Sequence, residues 1–180
     1  SLVNDWKERG VEQPKDNLIL VSSNVEAKQL NASAQEERYK KGKLGEQSLK
    51  ADGTRFYEND RVLFTKNSRL YGVRNGQLGT VERIDEWSSS ASIRLDSGKQ
   101  VKIPVDHYPH LRLGYAVTTH KSQGMTAEST FILAGGSMQE LVAGLESTPG
   151  VRVVERQPDD VHAAAGDRWV RIVDHMAVWS

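Results

Sequence analysis

Apolar positions over the first fifty residues alternate between two periods. Leu2, Val3 and Trp6 are spaced for one face of a short helix that stops by Gly10, and Pro14 breaks the pattern. Asn17-Leu18-Ile19-Leu20-Val21-Ser22 is a short apolar run suited to a buried strand. Asn24 then reads as a helix cap. Beyond it Ala27, Leu30, Ala34 and Tyr39 fall near one stripe, with Glu26, Lys28, Glu36, Glu37, Arg38, Lys40 and Lys41 largely elsewhere, and Gly42 ends the segment. A buried strand feeding an amphipathic helix is half of a βαβ unit.

After about residue 52 the period shortens. Arg61–Thr65, Leu78–Ile84, Ser92–Leu95 and Gln100–Ile103 are four short alternating or apolar runs, separated by the turn chemistry of Asn75-Gly76, Trp87-Ser88-Ser89-Ser90 and Asp96-Ser97-Gly98. They predict a small antiparallel barrel or sheet, with Trp87 packed across its rim. From Leu111 the spacing of Leu113, Val117 and His120 predicts a helix that stops at Gly124. Thr130–Ala134 reads as a second buried strand, Met138–Leu145 as a helix and Val151–Val154 as a further strand; Trp169–Val173 reads as a short strand or helix. The simplest architecture is a parallel-sheet α/β domain with a small β-barrel inserted between its first and second units.

Composition narrows the class. With 180 residues, 37% hydrophobic and 27% charged, the chain is long enough for a core of its own, and no apolar run approaches the roughly 20 residues of a membrane helix. The absence of cysteine excludes disulfides, thiolate zinc sites and cysteine nucleophiles. No basic, apolar, small-residue leader opens the chain, so nothing marks it for export and a cytoplasmic location is expected. Formal charge is zero, yet residues 1–37 balance to −3, residues 38–121 to +7 and residues 122–180 to −4. A basic centre between acidic flanks can build a polyanion-binding surface inside a neutral protein.

The informative stretch is Gly114-Tyr115-Ala116-Val117-Thr118-Thr119-His120-Lys121-Ser122-Gln123-Gly124-Met125-Thr126. Its end offers hydroxyls, an amide, a cation and a glycine whose bare backbone can approach a phosphate closely. It resembles motif V of superfamily 1 DNA helicases of the RecD-like branch, and is most similar to the helicase part of TraA-type (MobA/MobL-related) conjugative relaxases. The resemblance extends to Leu18–Asn31, to Asn59–Phe64 with Asn75–Val81, and to Tyr108-Pro109-His110-Leu111, and covers residues 1–137.

That resemblance implies a second RecA-like domain of the P-loop NTPase type, without its own Walker A loop and interrupted by an SH3-like barrel. The first part would be residues 1–52, the barrel 53–106, the second part with motif V 107–157, and 158–180 an unassigned tail. Family members move along single-stranded DNA, typically 5′ to 3′, as ATP and Mg²⁺ cycle in a cleft between two RecA-like domains. By the same resemblance Thr119, His120, Lys121, Ser122, Gln123 and Gly124 would line the DNA track, with Lys121 directed at phosphate. Ser23 and Asn24 would lie near the nucleotide. On the barrel, Lys66, Arg69 and Arg74, with Lys99 and Lys102 and interleaved with Phe64 and Tyr71, could grip a strand by phosphate contacts and stacking.

Departures from the family matter as much. No Gly-x-x-x-x-Gly-Lys-Ser/Thr occurs, and no acidic pair follows an apolar strand to hold Mg²⁺. Where the family's motif VI carries an arginine that reaches the γ-phosphate, the chain reads Leu141-Val142-Ala143-Gly144-Leu145-Glu146-Ser147-Thr148. The expectation is the carboxy-terminal part of a helicase whose Walker loops lie in a preceding motor domain. Alone it would be inactive as an ATPase and would hold no cofactor. The alternative is a motor-dead, helicase-like module that binds single-stranded DNA or docks to the conjugation and secretion machinery, type IV secretion components included, and a third is a barrel acting as an independent adaptor. Asp106, His107 and His110 are separated by Pro109 and lack a further ligand, so no metal is expected. Ser122, His120 and Asp106 lack the nucleophile elbow of a hydrolase.

Overall fold

A computed structural model describes residues 2–118, 129–134, 152–156 and 168–173. The elements are α1 (Leu2–Gly10), a 3-10 turn (Pro14–Asp16), β1 (Asn17–Val21), α2 (Asn24–Lys40), β2 (Ser48–Ala51), β3 (Thr54–Tyr57), β4 (Arg61–Phe64), β5 (Leu78–Asp85), β6 (Ser90–Leu95), β7 (Gln100–Pro104), β8 (Leu111–Leu113), β9 (Ala116–Thr118), β10 (Ser129–Ala134), β11 (Arg152–Arg156) and β12 (Arg168–Val173). The chain divides into two units, one of Ser1–Ala34 with Tyr115–Ser180 and one of Gln35–Gly114.

The first unit is a five-stranded sheet in the order β11-β12-β10-β1-β9. All five residues of β1 are buried, as a strand covered on both faces requires, and β1 runs parallel to both β9 and β10. The wholly parallel sheet expected from the sequence is corrected to a mixed one, because β12 pairs antiparallel with β10 and β11. Trp6 anchors α1 against β1. Its ring is fully buried, its Nε1–H donates to the Asn17 carbonyl at 2.8 Å, and it meets Tyr115 edge-on at 5.9 Å. Gly10 is needed there, since a Cβ would lie 1.9 Å from the indole.

The predicted helix from Leu111 is replaced by two strands, β8 and β9. Leu111 and Leu113 are buried while Arg112 is exposed, a period of two, and the β-branched Val117 and Thr118 continue the extended chain. Between the strands, a Cβ on Gly114 would come within 2.8 Å of the Val62 backbone and 2.7 Å of Leu78. The expected helix Met138–Leu145 and the stretch 141–148 lie outside the described residues.

In the second unit β4 to β7 form where the alternating runs predict, and β8 adds to β4, giving an antiparallel sheet ordered β7-β6-β5-β4-β8. The edge strands β7 and β8 do not pair with each other, so the expected SH3-like barrel is here an open sheet. Hairpin β2–β3 turns at Asp52-Gly53, both at positive φ (49° and 76°). Asp-Gly is a sequence signal for a tight hairpin that the alternation of apolar residues does not carry. Val62, Phe64, Ile93 and Ile103 are fully buried and make the centre of the core. Arg61, also buried, forms a two-pronged pair with Asp96, both N···O distances 2.7 Å, and its Nη1 donates to Thr80 at 3.1 Å. The pairing of β8 with β4, the hairpin and residues 35–40 of α2 carry this unit beyond the limits of 53–106. No helix among the described residues is long and apolar enough to cross a membrane.

Candidate nucleic-acid interface

Between β4 and β5 the chain makes a thirteen-residue excursion, Thr65–Gln77, that is braced at every turn. Ser68 and Val73 exchange backbone hydrogen bonds at 2.9 and 3.0 Å, closing a small hairpin with Arg69, Leu70, Tyr71 and Gly72 at its tip. Gly72 has φ +68°, a conformation that favours glycine. Asn67 Oδ1 accepts from the Asn75 N–H at 2.7 Å, and Gln77 Oε1 from the Arg74 N–H at 2.8 Å. Beneath the loop Tyr108 donates its hydroxyl to the Lys66 carbonyl and packs against Phe64, Tyr71 and His110, with ring centroids 5.2 to 6.2 Å apart. Burial raises the Tyr108 phenol above its usual range, the hydrogen bond to Lys66 opposing it. These are the residues of the Tyr108-Pro109-His110 stretch singled out in the sequence.

The loop and the β6–β7 turn enclose a surface hollow of about 590 Å³, lined in part by Arg69, Arg74, Gln77, Ser97 and Lys99. No Asp or Glu lines it. Lys99 leans across the opening and donates to the Gly72 carbonyl at 3.3 Å. Cations of the second unit differ in what already holds them. Arg38 bonds to the Asn59 carbonyl, Arg55 to Ser48, Arg61 to Asp96 and Arg94 to Glu82. The exposed side chains of Lys66, Arg69 and Arg74 have no hydrogen bond or ion pair with other described residues. An acid-free hollow rimmed by uncommitted guanidinium groups can take a polyanion without first breaking internal pairs.

The structure therefore brings Arg69 and Arg74 together with Lys99, and Lys66 lies at the foot of the same loop. Lys102 sits on β7 and does not line the hollow. Phe64 is fully buried and is corrected as a stacking surface; the exposed apolar side chain of the loop is Leu70, 83% accessible. Trp87, expected to pack across the rim, is instead 98% exposed. Asp85 holds its turn by accepting from the Trp87 and Ser88 N–H groups at 3.0 and 3.3 Å, and hydrogen bonding from Ser88 depresses the Asp85 carboxyl. Asp106 and His107 are exposed, and the described residues contain no cluster of three or more metal-ligand types.

Thr119, His120, Lys121, Ser122, Gln123 and Gly124 lie outside the described residues; β9 ends one residue before them. After β1, which ends beside β9 with Val21 opposite Thr118, the cap of α2 is Ser23, not Asn24. The Ser23 hydroxyl accepts from the Glu26 N–H at 3.2 Å, and Glu26 Oε2 accepts from the N–H and hydroxyl groups of both Ser22 and Ser23 at 2.8 to 3.2 Å. This is a capping box, which Ser23-x-x-Glu26 announces in the sequence. The Glu26 carboxylate thus puts a negative charge beside the start of α2, where an incoming anion would meet it. Ser23→Ala is expected to destabilise the chain by about 1 kcal/mol, read from urea unfolding.

No protein-family profile matches the chain. Over 141 residues it is 36% identical to the conjugal transfer protein TraA of Agrobacterium fabrum, covering 76% of this chain and 13% of that protein. The chain is a homologue of part of the TraA conjugal transfer proteins. Its likeness to the probable TraA of Sinorhizobium fredii is 34% over 142 residues, again 13% of the longer protein. This TraA-related chain thus spans about an eighth of the curated relatives it matches. Among solved structures it resembles a Pif1 helicase from Bacteroides, solved with ADP-AlF3 and ssDNA, at TM-score 0.52 and 18% identity, over 76% of this chain and 39% of that one. That likeness is one of fold, of the RecA-like α/β kind.

Proposed function

We propose that the chain is the single-strand-binding, carboxy-terminal part of an ATP-dependent, 5′ to 3′ helicase within a conjugative relaxase. The observation that carries the reading is the acid-free hollow with Arg69, Arg74 and Lys99 on a homologue of TraA. Thr119–Gly124 form the second contact in this reading, with Lys121 opposite a phosphate. The second unit takes the role of the SH3-like insertion. ATP and Mg²⁺ belong to the intact protein and to a preceding motor domain. In this reading the triphosphate cradle lies in the motor domain, because the sequence has no Gly-x-x-x-x-Gly-Lys-Ser/Thr run and, among the described residues, Glu26 already bonds to the Ser22 and Ser23 N–H groups before α2, so no hydrolytic step is assigned to this chain. The chain is expected to show no ATPase activity by itself.

The test is titration of a labelled oligonucleotide at two salt concentrations. Lys121→Ala should weaken binding and flatten the salt dependence by about one phosphate contact. Equal binding by both proteins counts against Lys121, and absent binding against the whole reading. A motor-dead docking module is the second reading, favoured by the missing arginine in 141–148. It requires capture of type IV secretion components together with DNA binding that ignores charge reversal at Lys121.

A further inference from the structure

The turn between β5 and β6 holds an indole out in water. Tryptophan is highly buried on average, yet Trp87 is almost wholly exposed and packs against no other ring among the described residues. The backbone beneath it is pinned from several sides. Asp85 accepts from the Trp87 and Ser88 N–H groups, the Ser88 and Ser90 hydroxyls share a hydrogen bond of 2.7 Å, and the Ser89 carbonyl accepts from the Val105 N–H at 3.0 Å. Glu86 Oε1 accepts from the Ser48 N–H at 3.0 Å, which ties the turn to β2. A ring presented by a fixed backbone loses little freedom when a partner covers it.

Two cations stand close to it. In from the turn by about 7 Å along the strands, Arg83, Ser92 and Lys102 lie opposite one another across β5, β6 and β7. Both cations are exposed, and Arg83 has no hydrogen bond or ion pair with another described residue. The Asp85 carboxyl is depressed first by the Ser88 hydrogen bonds and also by the Lys102 charge. The acids nearby are engaged, Asp85 and Glu86 with backbone N–H groups and Glu82 with Arg94. The residues beside Trp87 in sequence, Glu86, Ser88 and Ser89, are polar, so the indole has no apolar rim of the kind a protein partner would bury with it. A bare π-face next to cations suits a nucleobase and its adjoining phosphates, and it is indifferent to sequence because every base has a π-face. The hollow lies at the opposite end of β6, a strand of six residues or about 20 Å, so this is a separate place on the same sheet.

We infer that Trp87 is a stacking platform for a base of single-stranded DNA, with Arg83 and Lys102 directed at the phosphates beside that base. The inference rests on the proposed single-strand binding by this chain, and it adds a contact made through a base where the hollow offers only charge.

The experiment compares the 180-residue parent with Trp87→Ala and Trp87→Phe for affinity toward a labelled oligothymidylate and toward an abasic strand of the same length, each at two salt concentrations. Trp87→Ala should weaken oligothymidylate binding by about fivefold, the low end for one base stacked on an aromatic ring, and leave the salt slope unchanged, because stacking releases no counterions. Trp87→Phe should restore most of the loss, and the abasic strand should bind the parent and Trp87→Ala alike. The part of the tryptophan fluorescence that Trp87→Phe removes should be quenched in the parent by oligothymidylate. The urea midpoint should not move, since the side chain lies in water. If Arg69→Ala with Arg74→Ala weakens binding while Trp87→Ala binds as the parent does, or if Trp87→Ala weakens the abasic strand equally, the inference is overturned and the DNA-binding reading stands. If the parent binds no oligothymidylate, both fall. If Trp87→Ala alters only self-association, seen by light scattering, with DNA affinity intact, the indole serves a second copy of the chain and the inference is overturned.

Discussion

Replacing Asp96 by alanine is expected to lower the unfolding free energy of the second unit by about 3 kcal/mol, the low end of the cost of orphaning one member of a buried pair. Arg61 is the reason. Its side chain is 2% exposed against 34% for Asp96, so removing the carboxylate strands a guanidinium that cannot reach water. The Arg61 Nε already lacks a partner, which leaves Asp96 and Thr80 as the partners of its side chain among the described residues. The partial exposure of Asp96 lets water replace some of what is lost, hence the low end of the range. Urea unfolding followed by the loss of β-sheet signal measures the effect. The double change Arg61→Met with Asp96→Leu should recover most of the stability, because an apolar pair of similar volume removes the desolvation penalty together with the attraction. A loss below about 0.5 kcal/mol for Asp96→Ala would mean that the pair behaves as an exposed one.

The second large effect concerns binding. Arg69→Ala combined with Arg74→Ala should weaken single-stranded DNA binding by tenfold or more at low salt and reduce the slope of log affinity against log salt by about 1.4, two phosphate contacts at ~0.7 each. Stability should hold, since neither guanidinium has a hydrogen bond or ion pair with another described residue. The control is Lys40→Ala, which removes an exposed charge paired with Glu36 at 3.0 Å on α2 and should leave both quantities unchanged. An unchanged slope in the double variant, with binding otherwise intact, would remove the hollow from the interface.

Much of the architecture is legible in the sequence because burial and period coincide there. The run Asn17–Val21 has no polar face to present, so it is a central strand. The alternation through Leu78–Asp85, Ser90–Leu95 and Gln100–Pro104 has one buried and one exposed face, so it forms an antiparallel sheet with one wet side. Leu111–Thr118 misleads because Leu113, Val117 and His120 match a helical stripe by spacing alone. The alternation of Leu111, Arg112 and Leu113 and the close approach at Gly114 are tertiary facts that override it. At the candidate site, the type and position of Lys66, Arg69 and Arg74 are readable, and their availability is not. Whether an arginine is spoken for depends on partners distant in sequence, such as Asp96 for Arg61 or Glu82 for Arg94.

The open sheet of the second unit has a corollary for handling the protein in solution. Its two margins are of a kind that discourages one molecule from zippering onto another. β7 carries exposed Lys102 at its middle and ends in Pro104, which has no amide hydrogen to offer, while β8 is only three residues long and carries exposed Arg112. An incoming strand from a second molecule would meet like charge at either margin and a missing donor at one. Fibre growth through this sheet is thereby disfavoured without the sheet having to close on itself.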